Sequence, residues 1–180
     1  MWRKKGGENR KKHKYLPEFV YGGTDGAVTT FAVVAGVAGA SLSPAIVLIL
    51  GFANLIGDGI SMAASDYLST KSRNDLRESA KGFRLSPMKA AFSTFTAFFL
   101  VGLIPLLSYL LGAITNSAYI IQNQFYYSII LTIIALGIVG FMKGEVLNKN
   151  KLSSSIQTIL IGGIAAVAAF VISRFISSLI

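Results

Sequence analysis

Cysteine is missing from this chain of 180 residues, and histidine occurs once, at His13 in a basic N-terminal stretch. The lack of cysteine excludes disulfides and thiolate metal sites. A lone histidine in such a stretch argues against a histidine metal centre or a histidine-based catalytic group. Charged residues are also scarce, at 14% against about 25% in a typical soluble domain. This deficit, together with 53% hydrophobic residues, indicates a membrane protein.

Five apolar runs are long enough to cross a bilayer, which takes roughly 20 helical residues. The expected fold is therefore all-α: one polytopic domain of five transmembrane helices over residues 18–180, preceded by a basic cytoplasmic tail at residues 1–17. The connection at residues 69–86 is short and holds no inserted domain. No cleavable signal peptide is expected, because no small-residue cleavage site follows the basic start. The runs are predicted at residues 18–40, 44–68, 87–113, 124–142 and 154–177.

Lysine and arginine are confined to the ends of these runs. Seven precede the first run, five lie between the second and third with a sixth, Lys89, in the first turn of the third, and three flank the connection between the fourth and fifth. The positive-inside rule then places the N-terminus in the cytoplasm and the C-terminus outside, with Arg174 as the exception. The net charge of +9 is a property of the loops, so no nucleic-acid partner is expected.

Several residues mark where the helices should begin or bend. Pro44 and Pro87 suit the first turn of a helix, where a missing N–H costs nothing. Ser154 with Gln157 fits a capping box at the start of the last helix. Pro105 lies inside the third run and predicts a kink there.

Small residues recur along the first run at the spacing that lets two membrane helices approach closely. We therefore expect the first helix to pack tightly against its neighbours. The set comprises Gly22, Gly26, Ala32, Gly36 and Ala40.

Two aspartates lie well inside the apolar runs, Asp25 in the first and Asp58 in the second, while Asp66 lies near the end of the second. A carboxylate at the centre of a membrane helix costs about 2.5 to 3.5 kcal/mol on insertion scales. No lysine or arginine lies mid-run to form an internal salt bridge. Ionisable groups kept in a membrane at such a cost usually mark an ion, proton or substrate path. Both aspartates are therefore candidate functional residues.

Asp58 belongs to a polar stripe whose members are spaced four residues apart: Asn54, Asp58, Met62 and Asp66. Four residues of helix turn about 40° past a full turn, so the stripe slants along the second helix. Its hard oxygen atoms and its soft sulfur together favour a borderline first-row metal ion over Mg²⁺ or Ca²⁺. Asp25 on the neighbouring helix can add an opposing ligand. A buried carboxylate tends to hold a proton while the metal is absent, which would couple metal movement to protons.

Some of these positions also have plainer interpretations. Met62 alone would be typical of core packing, although its place between two aspartates favours a ligand. Asp66 can equally lie solvated at the cytoplasmic boundary. Glu18, at the start of the first run, is expected at the interface, where a helix N-terminus favours negative charge.

Two long motifs carry a family resemblance. The first run contains TDGAVTTFAVVAGVAGA, the second contains GFANLIGDGISMAASDYLSTKS, and ILIGGIAAVAAF in the last run is a further match. On these motifs the chain resembles the vacuolar iron transporter family, which includes the yeast vacuolar iron importer and plant nodulin-like members. The resemblance implies a homodimer that exports cytosolic Fe²⁺, often also Mn²⁺, in exchange for protons. It also implies a pathway at the dimer interface, between the first helices.

The resemblance implies particular metal ligands as well. Asp25 matches the aspartate of the family's first-span DG motif, and Met62 matches the methionine of its ISM motif. Some members have a glutamate where this chain has Asn54, and we expect Asp58 to compensate one turn away. Members with a cytosolic metal-binding domain insert glutamate-rich helices between the second and third spans. The short, basic connection at residues 69–86 resembles the branch without that domain, which leaves iron and manganese open as substrates.

The predicted function is divalent metal transport, with no enzymatic activity and no bound cofactor. The expected partners are the lipid bilayer, the metal ions, protons and a second copy of the chain. The host membrane would be the inner membrane in a prokaryote and a vacuolar or other endomembrane in a eukaryote.

Two other functions compete with transport. One is a non-transporting membrane scaffold. The other is an intramembrane aspartyl protease, in which Asp25 and Asp58 would share a proton. The protease is disfavoured because Leu55 stands where the first glycine of its GxGD motif would be, and because such enzymes need more spans.

Overall fold

Helices make up all of the regular structure that the computed structural model describes, which covers residues 14–76 and 84–180. Within these residues the expected all-α fold is confirmed. Most of the predicted basic tail, residues 1–13, and part of the predicted connection, residues 77–83, lie outside the described residues. The helices are α1 (Leu16–Gly39), α2 (Pro44–Leu76), α3 (Pro87–Leu103), α4 (Leu107–Thr115), α5 (Ala118–Val146) and α6 (Lys151–Ser177).

Several helix boundaries differ from the predicted ones. α2 continues to Leu76, so the first part of the predicted connection at residues 69–86 is helical. α5 begins at Ala118, before the predicted residue 124. The capping box at Ser154 is wrong, because α6 begins earlier and Asn150 caps it by accepting a hydrogen bond from the Ser153 N–H at 3.1 Å. Hydropathy alone does not mark these ends, since the polar last turns lie beyond the apolar runs.

Pro105 interrupts the third span as predicted. A 3-10 turn at Ile104–Leu106 separates α3 from α4, because proline has no N–H to continue the α-helical ladder. The Ser128 hydroxyl of α5 donates a hydrogen bond to the Pro105 carbonyl at 2.7 Å. α3, the turn and α4 together form one broken span.

The first helix lies in the middle of the bundle. α1 packs against α2, α3, α5 and α6, and more than half of its 24 residues are buried. A Cβ added at Gly22 would collide with the backbone of Thr94 in α3, and one at Gly26 would collide with the backbone of Phe98. These contacts confirm the close packing expected from the small residues, because no other residue type lets the two backbones approach so nearly.

Four helical segments in the described ranges are long and apolar enough to cross a membrane: Pro44–Leu76, Pro87–Thr115, Ala118–Val146 and Lys151–Ser177. α1, the predicted first span, is not among them. Its glycines, threonines and two carboxylates dilute its apolar residues. The neighbouring helices screen much of α1 from the surroundings, which lowers its need for apolar side chains. That α1 is a fifth span stays a prediction.

The outer surface of the bundle is apolar, and several polar side chains are buried among the apolar residues of its interior. On α5, Ser128 and Thr132 are buried, whereas Ile130, Ile134 and Ile138 are exposed. The buried Thr132 hydroxyl is satisfied by donating to the Ser128 carbonyl at 2.7 Å. Such an apolar outer surface is stable in contact with lipid chains and unstable in water. The described residues therefore form an all-α, multi-pass membrane protein.

Replacing Gly26 by alanine should lower thermal stability. The added Cβ would collide with the Phe98 carbonyl group and push α1 away from α3, and overpacking of this kind costs roughly 1–3 kcal/mol. Gly163→Ala is the matched control, since a Cβ at Gly163 would meet nothing within 4 Å. The measurement is thermal unfolding of the detergent-purified variants. Equal melting temperatures for the two variants would contradict the close approach of α1 and α3.

Candidate functional site

Asn54 sets the register between α1 and α2, which run antiparallel. Its side-chain Nδ2 donates to the hydroxyls of Thr29 and Thr30, each at 3.4 Å. The Thr29 hydroxyl in turn donates to the backbone carbonyl of Asp25 at 2.9 Å. One helical turn along each helix from this contact, the antiparallel register places Asp58 of α2 at the level of Asp25 of α1.

Asp25 and Asp58 are a pair of like charges on facing helices. They are near enough for the Asp58 carboxylate to act electrostatically on Asp25. Both residues are partly exposed at the apolar outer surface, and neither forms an ion pair with any residue in the described ranges. Two adjacent carboxylates repel each other unless a cation or a proton compensates the charge. The geometry therefore suits the binding of a cation between α1 and α2.

One chain offers few ligands at this point. Residues 14–76 and 84–180 contain no group of three or more histidine, cysteine, aspartate or glutamate side chains that could hold a metal ion. An ion beside Asp25 and Asp58 would find two carboxylates there, with the Asn54 amide and the Thr29 hydroxyl one turn away. First-row metal ions prefer tetrahedral or octahedral ligand sets. The remaining ligands would come from water, backbone carbonyls or a second molecule.

The predicted stripe on α2 divides into two parts. Asn54 and Asp58 lie on the side of α1, whereas Met62 is only 9% exposed and belongs to an apolar cluster that includes Phe98 of α3. Asp66 contacts α3. The cause is helical geometry, because three steps of 40° carry the far end of the stripe about 120° around the helix. The structure thus brings Asp25, Asn54 and Asp58 together and sets Asp66 apart from them.

Asp66 is held between α2 and α3. The Thr94 hydroxyl of α3 donates to its Oδ2 at 2.6 Å, and the Thr70 hydroxyl donates to its Oδ1 at 3.4 Å. Arg73 forms an ion pair with it, with Nη2 3.8 Å from Oδ1. The Asp66 side chain is only 11% exposed. The alternative that Asp66 is merely solvated is therefore wrong, whereas its place relative to the cytoplasmic boundary stays a prediction.

Glu18 is more buried than a glutamate at the start of a helix usually is, with only 8% of its surface exposed. Its expected place at the membrane interface stays a prediction. Asp66 and Arg73 are near enough for their charges to act on its carboxylate. The signal available in the sequence is its spacing, since Glu18 precedes Asp25 by seven residues and two turns of helix place both on one face of α1.

Known proteins similar in sequence to this chain belong to the family that the two motifs resemble. A family model described as VIT family matches residues 16–82 and 80–174. A vacuolar iron transporter of Toxoplasma gondii is 26% identical over 94% of this chain and 78% of its own length. Vacuolar iron transporter 1 of Eucalyptus grandis is 28% identical over 89% of this chain and 86% of its own length. Vacuolar iron transporter homolog 4 of Arabidopsis thaliana is 29% identical over 88% of this chain and 81% of its own length.

The family model covers the carboxylate pair, Asn54 and Met62 in its two matched ranges. It also covers all six helices except the last residues of α6. The identity to each of these relatives is low, but it extends over most of both chains. The resemblance stated from the motifs is thereby confirmed, and the chain belongs to the VIT family.

Proposed function

We propose that this protein carries Fe²⁺, Mn²⁺ or both out of the cytosol, in exchange for protons, along a path beside Asp25 and Asp58. The observation that carries the proposal is the pair of facing carboxylates in a membrane bundle, with no ion-pair partner among the described residues. The names of the relatives, vacuolar iron transporters, support metal transport. A non-transporting scaffold does not need two carboxylates inside a membrane bundle, and keeping them there costs free energy.

Charge compensation supplies a reason for coupling to protons. When no metal ion lies between Asp25 and Asp58, a proton is the smallest cation that can relieve their repulsion. A divalent ion entering between them displaces that proton. Return of a proton from the far side then releases the metal ion. The two carboxylates would therefore alternate between metal and proton, which is the behaviour of an exchanger.

We place the path at a homodimer interface. One side of α2 is exposed and carries small residues, among them Ala53, Gly57 and Ser61. A Cβ at Gly57 would meet nothing within 4 Å, and small residues at this spacing let membrane helices approach closely. In a two-fold dimer this patch would meet its own copy. Asp58, next to Gly57, would then meet its counterpart, and the second chain would supply the ligands that one chain lacks.

Met62 would tune the choice of metal. It lies one turn from Asp58, and its sulfur is the soft donor in a set of hard oxygen ligands. Its burial beside Phe98 fixes the side chain, so a small rotation of α2 would be needed for the sulfur to reach an ion beside Asp58. A soft ligand favours Fe²⁺ over the harder Mn²⁺.

The direction of transport rests on the distribution of charge. Tyr15 at the start of α1 accepts a hydrogen bond from Ser93 near the start of α3, and Gly144 near the end of α5 lies against Lys151 at the start of α6. One end of the bundle thus gathers the described lysines and arginines, while Arg174 lies at the other. The positive-inside rule supports a cytosolic position for that end.

Asp25→Asn should abolish transport. The substitution keeps the shape of the side chain and removes its charge, so insertion and dimerisation should be normal. Uptake of Fe²⁺ or Mn²⁺ into proteoliposomes with an imposed pH gradient should fall to background. Asp75→Asn, an exposed position near the end of α2, is the matched control and should transport normally. Flux through Asp25→Asn close to that of the control would refute the proposed path.

Met62→Leu should change selectivity without loss of expression. Leucine conserves volume and hydrophobicity, so the packing cost is below about 1.5 kcal/mol, and only the sulfur is lost. The ratio of Fe²⁺ to Mn²⁺ uptake should fall. Asp58→Asn should instead lower the flux of both ions and flatten the dependence on the pH gradient. An unchanged ratio in Met62→Leu would mean that Met62 serves only as core packing.

The proposed interface predicts a cross-link. The chain has no cysteine, so a single one introduced as Gly57→Cys can be oxidised without background. In membranes it should give a disulfide-linked dimer. Gly163→Cys, on an equally open glycine of α6, is the control and should stay monomeric on a denaturing gel. The reverse pattern would place the interface on α6 instead of α2.

A further inference from the structure

A second pair of carboxylates lies where α1 begins and α2 nears its end. Glu18 of α1 is more than nine-tenths buried, and its Oε2 accepts no hydrogen bond from the described part of the chain. Asp66 of α2 and Arg73 are near enough for their charges to act on Glu18. A buried carboxylate oxygen without a donor is rare, and one that lies near a second carboxylate suits a cation or a proton as its partner.

Asp66 is oriented by its neighbours, and Arg73 compensates it only loosely. Thr94 donates to Oδ2 at 2.6 Å, which fixes the carboxylate against α3. The Arg73 guanidinium is 3.8 Å from Oδ1, longer than the 2.7–2.9 Å of a strong charge-assisted bond. Its better contact is to the Thr70 hydroxyl, at 3.0 Å. The Arg73 side chain is 52% exposed, so the guanidinium can leave without breaking a packed core.

The two carboxylate pairs are at matching positions on antiparallel helices. Glu18 precedes Asp25 by seven residues on α1, and Asp66 follows Asp58 by eight residues on α2. At 1.5 Å per residue these separations are about 10 and 12 Å along the helix axes. Asp66 is also turned about 80° around α2 relative to Asp58, so the two pairs lie on successive levels of the bundle and an ion passing between them would also move around α2.

We propose that Glu18 and Asp66 form a second divalent-cation site, nearer the cytosol than Asp25 and Asp58, and that the Arg73 guanidinium competes with the metal ion for it. Carboxylate and threonine oxygens are hard ligands, so the site suits Mn²⁺ or Fe²⁺ that keeps part of its water shell. Arg73 provides positive charge while the site is empty, and a metal ion entering displaces it toward the solvent. The direction of passage, though not the site itself, rests on the proposed function.

The test uses Mn²⁺ alone as the probe and needs no transport. The full chain is purified in detergent with both Asp25→Asn and Asp58→Asn, which removes the proposed central pair. Binding is followed by titration against the electron paramagnetic resonance signal of free Mn²⁺. This background should still bind Mn²⁺. Adding Glu18→Gln should weaken the remaining binding at least about tenfold, because one of two carboxylates is lost.

Arg73→Gln tests the competition by a gain of binding, which a misfolded protein would not show. Removal of the competing cation should tighten Mn²⁺ binding in the same background roughly threefold to tenfold. Lys71→Gln removes the same charge from an exposed position on the same helix and should have no more than a small effect. Equal effects of the two variants would refute competition between Arg73 and the metal ion, because the loss of any positive charge would then explain the tighter binding.

Failure of the second site is distinguishable from failure of the proposed function. If the wild type binds Mn²⁺ and the double aspartate variant does not, the second site is refuted and the central pair stands. If the double variant binds like the wild type and Glu18→Gln removes that binding, the second site stands and the role of the central pair is refuted. If Glu18→Gln leaves binding in the double variant unchanged, Glu18 is not a ligand and the proposal fails.

Discussion

The close approach of α1 to α3 holds a glycine-rich helix with two carboxylates in the middle of the bundle. At Gly22 and Gly26 no side chain separates the two helices, and the backbone of α1 rests against Thr94 and Phe98. α2, α5 and α6 cover most of the remaining surface of α1. A helix with two carboxylates could not stand alone in lipid. Its packing brings the carboxylates of α1 to the carboxylates of α2.

Two levels of paired carboxylates follow from that packing. Asn54 bridges α2 to Thr29 and Thr30, and the antiparallel register then puts Asp58 beside Asp25. The same register carries Asp66 to the level of Glu18. The first pair lies at the outer surface of the described bundle, where we place a second copy of the chain. The second pair is covered by α3 and Arg73, so the two levels differ in their partners and in their access to solvent.

Much of this arrangement could be predicted from the sequence, and the failures have identifiable causes. Apolar runs located the helices, and Pro105 located the break in the third span, because both effects are local. The small residues of the first run predicted its tight packing. The role of the stripe on α2 was harder to predict. A four-residue spacing shows that neighbouring members share part of a helix face. Each step also turns about 40° around the helix, and this rotation decides which neighbouring helix each residue contacts. Met62 and Asp66 consequently lie against the core and α3, away from Asp25.

Glu18 shows why burial was the hardest property to predict. A glutamate in the first turn of a helix is ordinarily exposed, and the sequence does not reveal that α2 and α3 close over this one. The low hydropathy of α1 has a related cause. A helix that its neighbours screen from lipid can cross a membrane without the long apolar sequence that marks a membrane span. The glycines and threonines of α1 place it below the four apolar segments of the described chain, although it lies among them.

The central claim is that a transition-metal ion binds between α1 and α2 at Asp25 and Asp58. The most direct measurement is anomalous X-ray scattering at the manganese edge from crystals of the full chain grown with Mn²⁺. The account predicts a peak beside both carboxylates that disappears in crystals of the Asp25→Asn variant. Manganese bound only at other positions, with no peak between these two helices, would contradict it.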